Sequence, residues 1–329
     1  MTCWIGAGTL IGVNSISYAI PEFPLSKAEI SLLLQAEDGL ARLDERLRTS
    51  PLAFGWRERI VFAASCANRH LDRELVHQEE LVLLDAGALP RVITPELSGA
   101  YEVLKVWRDA ERGDPHDLLR TQRPGTADTR AASVTNAPDY FYDPDWGEAD
   151  RLAAWRRVLA ESGGLPPLLA SFLVWDAWLE LHPDQRGAWR ASLIAALCLR
   201  DRQKTRHFLL PLDLGARHAR YRRIERQSIG QRLLGYLEWV NMTVDRCNRE
   251  LDRLGVVADG LALKLKGKRK NSHLPALVAL LLSRPVVSVP ITAKALGVSN
   301  QAVDVMLKQL GSYPRELTGR TRYRVWSVA

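Results

Sequence analysis

The stretch LHPDQRGAWR, residues 181–190, combines residue types that could act on a phosphate or another anion. His182 can accept a proton near neutral pH. Gly187 suits a turn whose backbone N–H groups face an anion, and Arg186 and Arg190 can pair with an anion at the start of the apolar helix predicted after them. His182, Arg186, Gly187 and Arg190 are therefore the candidate anion-binding set. If the site is catalytic, His182 is its base.

A second group of charged residues fills the C-terminal end of the chain. Residues 261–329 contain twelve Lys or Arg and two acidic residues, Asp304 and Glu316, which is a net charge of +10. The whole chain carries +7, so residues 1–260 carry −3. Positive charge concentrated in this way is the electrostatic footprint of a polyanion-binding surface. The alternative, a merely solvated basic tail, is disfavoured because the same segment is regularly patterned.

This pattern predicts a helix-turn-helix followed by a wing. Apolar spacing predicts helices over 273–283, from residue 291 to a stop at Gly297, and over 300–310, so that Gly297 lies in the turn between the last two. Ser299 is the expected N-cap of the third helix. The final stretch alternates and turns at TGR, residues 318–320, which predicts a β-hairpin. Such a module can also serve as a protein interface, but the charge of +10 favours DNA.

In a winged helix the third helix enters the major groove through its N-terminal residues. The contacts predicted on it are Ser299, Asn300, Gln301, Asp304 and Lys308. Amide side chains can make bidentate pairs with adenine edges, although simple solvent exposure also accounts for them. The predicted phosphate contacts lie on the wing and on the lysine-rich hinge that precedes the first helix of the module. They are Arg320, Arg322 and Arg324 on the wing and Lys266, Lys268, Arg269 and Lys270 on the hinge.

The rest of the chain shows helical periodicity and no convincing strands, so the predicted fold class is mainly α. Ser26 and Thr94 are expected N-caps, and Gly87 is an expected helix stop. The predicted parts are an N-terminal extension (1–25), a helical domain (26–112), a loop or insert (113–148), a helical core (149–260) and the winged helix (261–329). The arginine-rich run 217–227 is interpreted as a solvated helix face, with an accessory nucleic-acid surface as the alternative.

Several classes of protein are disfavoured. The four cysteines, at positions 3, 66, 198 and 247, lack the spacing of a metal site or of a disulfide framework. No P-loop, dinucleotide fingerprint or Ser-His-Asp order is present, so we expect no cofactor and no metal. The apolar start lacks the charged region of a signal peptide, and no window is long enough to span a membrane. The sequence therefore predicts a cytoplasmic protein.

The layout around His182 resembles the Fic family, whose motif H-P-F-x-[DE]-G-N-G-R-x-x-R lies between two buried helices. Here LPPLLASFLVWDAWLELHPDQRGAWRASLIAALCL has an apolar helix, a His-Pro loop and a second apolar helix, and a winged helix follows. The resemblance covers about residues 26–329 and implies a Fic-like helical core. The chain also resembles a bacterial, often plasmid-associated, family in which a domain of unknown function precedes a helix-turn-helix.

The resemblance implies a general base that helps a hydroxyl attack a nucleotide phosphate. The matching positions are His182, Pro183, Gly187 and Arg190. The departures are Arg186 at the Mg²⁺-binding carboxylate, Ala188 and Trp189 in the glycine-rich turn, and Leu193 at the second arginine. The chain thus lacks the metal-binding carboxylate, the glycine-rich turn and the second arginine that holds a phosphate. Most of the charge stabilisation that phosphoryl chemistry needs is therefore missing. We therefore expect the Fic-like domain to be catalytically inactive.

The sequence thus predicts a DNA-binding transcription regulator, a homodimer whose helical domain serves oligomerisation or senses a partner, a small anionic ligand or a nucleotide. His182 is interpreted as a structural remnant at a helix start, because proline is common in a first helical turn. A repurposed anion pocket is the alternative. The alternative function is a protein nucleotidyltransferase that attaches AMP, using Mg²⁺ and a nucleotide. A pure protein-interaction module is the third possibility.

Overall fold

In the computed structural model the chain is mainly α-helical, as predicted. The structure describes residues 16–22, 25–88, 93–120, 143, 145–185, 187–219, 223–224, 226–267, 272–318 and 324–328. The first helices are α1 (Lys27–Thr49), α2 (Ala53–Leu71), α3 (Gln78–Asp85), α4 (Pro95–Arg112) and α5 (Pro115–Arg120). They are followed by α6 (Glu148–Glu161), α7 (Pro167–Leu181), α8 (Ala191–Asp201), α9 (Leu212–His218) and α10 (Ile229–Leu265). Within these ranges, no helix is both long and apolar enough to cross a membrane.

Several helices begin or end at the residues that the sequence predicts. The Ser26 hydroxyl accepts a hydrogen bond from the Glu29 N–H, and the Glu29 carboxylate accepts one from the Ser26 N–H at 2.6 Å. This reciprocal capping box starts α1. Thr94 caps α4 by accepting from the Leu97 N–H at 3.2 Å. Gly87, two residues after α3, has a φ of 66°, a left-handed conformation that favours glycine. The three predictions are confirmed.

The helix α7 lies at the centre of the helical part, also as predicted. Its residues from Leu168 to Trp178 are buried on all sides, and it packs against α6 and α8. On the α10 side, the ring of Trp175 lies 5.2 Å from Tyr236 and 5.4 Å from Trp239, measured between centroids. Tilted and edge-to-face aromatic pairs of this kind stabilise a core beyond simple burial. The loop at His182 therefore begins at the end of a tightly packed central helix.

Two stretches are more ordered than predicted. The short helix α5 lies inside the predicted insert 113–148, where its Leu119 is buried and it packs against α8. In the predicted N-terminal extension, Ile16, Tyr18 and Ile20 pack against the helical core, and the Tyr18 hydroxyl donates to Asp176 at 2.8 Å. A six-residue helix and isolated packing residues leave no clear period in the sequence, so neither feature was predicted.

The helix α10 is 37 residues long and crosses the predicted domain boundary at 260/261. Ser228 starts it with a second capping box, in which the Gln231 side chain accepts from the Ser228 N–H at 2.9 Å. Leu261 is fully buried in the core of the C-terminal part. At Gly260, a Cβ atom would overlap the Tyr313 ring. The boundary between the acidic part of the sequence and the basic C-terminal part thus falls inside α10. This helix packs into both the helical core and the core of the C-terminal part.

The C-terminal part folds as a helix-turn-helix with a small antiparallel sheet. Its elements are α11 (Leu274–Ser283), β1 (Val287–Ser288), α12 (Val289–Leu296), α13 (Asn300–Gln309), β2 (Arg315–Glu316) and β3 (Val325–Ser327). The strand order is β1–β3–β2, with Val287 opposite Trp326 and Arg315 opposite Ser327. Gly297 has a φ of 66° in the turn before α13. The helix-turn-helix and its turn glycine are confirmed, and β2 and β3 are the paired strands of the predicted hairpin.

This C-terminal domain packs directly on α2. A Cβ atom on Gly55 would overlap the carbonyl oxygen of Leu282, so the backbones of α2 and α11 are in contact. The guanidinium of Arg59 donates to the carbonyl oxygens of Leu281 and Arg284, both at 2.6 Å, and of Leu282 at 2.8 Å. These carbonyls at the end of α11 have no partners within the helix, so the arginine satisfies them and complements the helix dipole.

Candidate functional site

The helix α13 presents one exposed, mostly polar face. Asn300, Gln301 and Lys308 are exposed, and the Val305 side chain is 49% exposed. The opposite face carries Val303, Met306 and Leu307, which are buried against the other helices of the domain. Residues 301, 305 and 308 are spaced by four and three, so they lie along one stripe of the helix. Gln301, Val305 and Lys308 therefore form one exposed stripe along α13.

Ser299 performs the capping role that the sequence predicts. Its hydroxyl accepts a hydrogen bond from the Ala302 N–H at 3.2 Å, and its backbone is extended. The cap fixes the start of α13, where the free backbone N–H groups and the helix dipole favour an anion such as a phosphate. Its predicted contact with DNA stays a prediction.

Arg324 and Asp304 are placed next to each other. The guanidinium of Arg324 donates to Glu316 at 2.9 and 2.6 Å, lies 3.6 Å from Asp304 and stacks 4.9 Å from the Trp326 ring centroid. The Glu316 hydrogen bond raises the pKa of Arg324 above its ordinary value. These contacts join the base of the wing to α13. Both residues are predicted DNA contacts, and the structure gives them a positioning role as well.

The remaining predicted phosphate contacts are only in part within the described residues. Lys266 is exposed directly after α10. Lys268, Arg269, Lys270, Arg320 and Arg322 lie outside the described residues, and so does Arg186. Sequence reasoning missed Val305, because an apolar residue in a helix-turn-helix is easily assigned to the core. Its spacing of four from Gln301 is the signal that places it on the exposed face.

His182 lies at the end of α7 and not at a helix start, which corrects the interpretation of its position. It adopts a left-handed conformation with a φ of 46°, its N–H donates to the Trp178 carbonyl at 3.0 Å, and its carbonyl accepts from Trp146 Nε1 at 2.9 Å. Partial burial and the charges of Arg151 and Arg223 lower the pKa of the exposed imidazole. This lowered pKa favours the neutral form of the His182 side chain.

The loop after His182 is closed by its own side chains. Arg190 lies 3.1 Å from Asp184, and its side chain is 14% exposed. A Cβ atom on Gly187 would overlap the Asp184 carboxylate, and the Gly187 carbonyl accepts from Trp178 Nε1 at 2.8 Å. The Asp184 carboxylate is thus paired with Arg190, one of the arginines predicted to hold an external anion. Among the described residues, no group of three His, Cys, Asp or Glu side chains could hold a metal ion.

An ionic cluster around a buried carboxylate lies on α7 just before His182. Asp176 is fully buried and pairs with Arg223 at 3.2 Å and with Arg232 at 3.0 Å. Glu180 accepts from the same two arginines at 2.5 and 3.1 Å. Two arginines and two carboxylates balance in charge, as a buried ionic group requires. Arg223 belongs to the run 217–227, so the interpretation of that run as a solvated helix face is wrong at this position.

A second buried carboxylate has no cationic hydrogen-bond partner within the described ranges of the chain. Asp213 of α9 accepts from the Ser192 hydroxyl at 2.5 Å and from the Asn68 amide at 3.0 Å. Burial raises the pKa of Asp213 to about 6. The Asn68 amide also donates to the Trp189 carbonyl at 3.2 Å. Asp213 thus links α2, α8 and α9 behind the His182 loop.

The fold and the exposed face of α13 define a protein with a helical domain and a helix-turn-helix domain. Residues 274–329 match the family described as HTH DNA binding domain, and residues 140–266 match protein of unknown function (DUF1612). "Uncharacterized protein y4cF" of Sinorhizobium fredii is 30% identical over 380 aligned residues, which cover 93% of this chain and 99% of that protein. The chain belongs to the same family as this Sinorhizobium protein and carries a helix-turn-helix DNA-binding domain.

A likeness to a solved structure was also found. A Fic family protein from Desulfovibrio desulfuricans G20 is 17% identical to the chain, with a TM-score of 0.48. The match covers 94% of this chain and 98% of that one.

Proposed function

We propose that the protein is a transcription regulator that inserts α13 into the major groove of DNA. The observation that carries this proposal is the exposed stripe of α13 in a segment with a net charge of +10. The amides of Asn300 and Gln301 are suited to adenine edges, the methyl groups of Val305 to the methyl of thymine, and Lys308 to guanine or phosphate. In this proposal Asp304 and Ser299 hold the geometry of the stripe.

The other cations supply affinity in this proposal. Lys266, Lys268, Arg269, Lys270, Arg320 and Arg322 contact phosphates on either side of the groove. Such contacts carry no sequence information but make binding strongly dependent on salt. Arg324 adds its charge while its pairs with Glu316 and Asp304 keep the wing in place.

We also propose that the helical domain works without nucleotide transfer, and that the regulator acts in the cytoplasm as a homodimer. The Asp184–Arg190 pair supports the first point, because it neutralises an arginine that a nucleotide phosphate would need. Dimerisation would let two domains bind half-sites one helical turn apart, which is how single helix-turn-helix units gain affinity. Light scattering after size exclusion measures the mass of the free protein and of its DNA complex.

The test of the proposal is DNA binding by the full chain to genomic fragments across a salt series. We expect the logarithm of the binding constant to fall steeply with the logarithm of salt concentration. Gln301→Ala should weaken binding to the selected fragment by about 1–3 kcal/mol. Gln309→Ala is the matched control, because Gln309 is an exposed amide at the far end of the same helix.

His182→Ala separates the two functions. It should leave DNA affinity unchanged, and the wild-type chain should transfer no label from radioactive ATP in the presence of Mg²⁺. A chain that binds no fragment at low salt would refute the regulator proposal. Label transfer that is lost in His182→Ala would support the nucleotidyltransferase instead.

A further inference from the structure

A cavity of about 500 Å³ lies where the helix-turn-helix domain meets α2, α3 and α10. One wall comes from the helical domain and includes Trp56 and Arg246. The other comes from the C-terminal domain and includes Tyr313, Arg315 and Leu317. A cavity of this size accommodates a small organic molecule, and junctions between domains are common positions for ligand sites.

The charges that line this interdomain cavity are mostly positive. They are four arginines, Arg59, Arg246, Arg253 and Arg315, and two glutamates, Glu79 and Glu250. Arg246 and Arg253 share Glu250, each at 3.8 Å. Arg315 lies 3.7 Å from Glu79 across the domain junction. These separations are long for charge-assisted pairs, which leaves the arginines able to bind a stronger partner. The lining as a whole has an excess of two positive charges.

Arg59 adds a buried cation to the wall. Its guanidinium donates to main-chain carbonyl oxygens of α2 and α11, and burial lowers its pKa to about 10, so it remains charged at neutral pH. Arg59 is one of the residues that line the cavity, so its positive charge attracts an anion bound there.

Apart from Gln78 and Ser327, the rest of the lining is apolar. The walls carry Ile60, Ala63, Val82, Leu254, Val286 and Val328 in addition to the two aromatic rings. A small inorganic ion would leave most of this surface unfilled. A molecule with an aromatic or aliphatic body and one anionic group would use both the apolar walls and the arginines.

From this arrangement we propose that the interdomain cavity binds a small organic anion with an apolar body. Because its walls belong to both domains, the bound anion changes the affinity of the helix-turn-helix domain for DNA. This second part rests on the proposed function. By linkage, DNA must change the affinity for the anion by the same factor.

The test uses 8-anilinonaphthalene-1-sulfonate as the anionic probe and N-phenyl-1-naphthylamine as its uncharged analogue, in fluorescence titrations of the full chain without DNA. With roughly 20 non-hydrogen atoms, the sulfonate should bind one site per chain with a Kd on the order of 10–100 µM. The uncharged analogue should bind at least about tenfold more weakly. Equal affinities for the two probes would overturn the anion preference.

Three variants locate the site. Arg246→Met keeps the apolar stem and removes the charge, so it should weaken sulfonate binding about tenfold and leave the uncharged probe unaffected. Ala63→Leu places a larger side chain in the cavity and should weaken the binding of both probes. Arg42→Met, which removes an exposed arginine of α1 paired with Asp38, is the control. Circular dichroism and thermal melting show that each variant is folded. If both cavity variants bind the two probes as the wild type does, the binding site is not in this cavity.

The coupling is measured separately, by DNA titration with and without saturating sulfonate. We expect the DNA affinity to change at least about fivefold, with a reciprocal change in sulfonate affinity at saturating DNA. An unchanged DNA affinity would overturn the coupling. A chain that binds the sulfonate as described but binds no DNA would refute the proposed function and leave the cavity site standing.

Discussion

At the scale of single residues, Val305 is the side chain on α13 that would distinguish the proposed base-reading surface from a merely charged one. It is 49% exposed on the stripe that also carries Gln301 and Lys308. Contact with the methyl group of thymine is the one interaction in the major groove that an aliphatic side chain makes well. In the proposed complex, the arginines and lysines around it contact phosphates, which are the same in any sequence.

We therefore expect Val305→Ala to weaken binding to the selected DNA about five- to tenfold while leaving stability unchanged, since alanine favours a helix. Replacing the contacted thymine by deoxyuracil, which lacks the methyl group, should weaken wild-type binding equally and have no further effect on the variant. Val256→Ala is the matched control, because Val256 is a valine on α10 whose side chain is 72% exposed. Fluorescence anisotropy measures all four combinations. Additive losses would contradict a direct contact.

At the scale of elements, Asp213 connects three helices with one buried carboxylate. Its pKa of about 6 is above its ordinary value of 3.8, so the folded state binds a proton in the interval between them and the unfolded state does not. The contribution of this group to stability therefore rises as the pH falls from 6 to 4, and above pH 6 the buried charge is a cost.

Asp213→Asn should remove this cost and raise the free energy of unfolding at pH 7.5 by about 2 kcal/mol, a gain that disappears near pH 4. The Ser192 hydroxyl can turn to accept from the new amide N–H, while the new amide oxygen still accepts from the Asn68 amide. Urea unfolding at the two pH values measures the difference, with the exposed Asp259→Asn as control. A less stable variant at pH 7.5 would show that the carboxylate is needed in its ionised form.

The elements also show what the sequence could and could not predict. Ser26, Thr94, Gly87 and Ser299 mark helix ends through local chemistry, so the positions of α1, α3, α4 and α13 followed from the sequence. Long-range pairs leave no local pattern. The pairing of Asp184 with Arg190 is a matter of loop shape, and that of Arg223 with Asp176 joins residues 47 apart. Most of the fold was therefore predictable, whereas the ion pair between Asp184 and Arg190 in the His182 loop was not.

At the scale of the whole molecule, the contact between α2 and α11 decides whether the two domains behave as one body. Gly55 lies against the Leu282 carbonyl, and Arg59 ties the end of α11 to α2. The helix α10 adds a covalent connection that is buried in both cores. In the proposed coupling, an anion bound in the interdomain cavity acts on the helix-turn-helix domain through these contacts.

Because this contact has no room for a side chain, Gly55→Ala should force α2 and α11 apart and destabilise the chain by about 2 kcal/mol, the usual cost of overpacking. Calorimetry should show one unfolding transition in the wild type and a separate, earlier transition in the variant, with α11–α13 losing hydrogen-exchange protection first. Gly255→Ala, at a helical glycine of α10 with open space around it, should instead stabilise the chain by about 0.5–1 kcal/mol. If Gly55→Ala melts as a single unit at the wild-type temperature, the contact between α2 and α11 does not couple the domains.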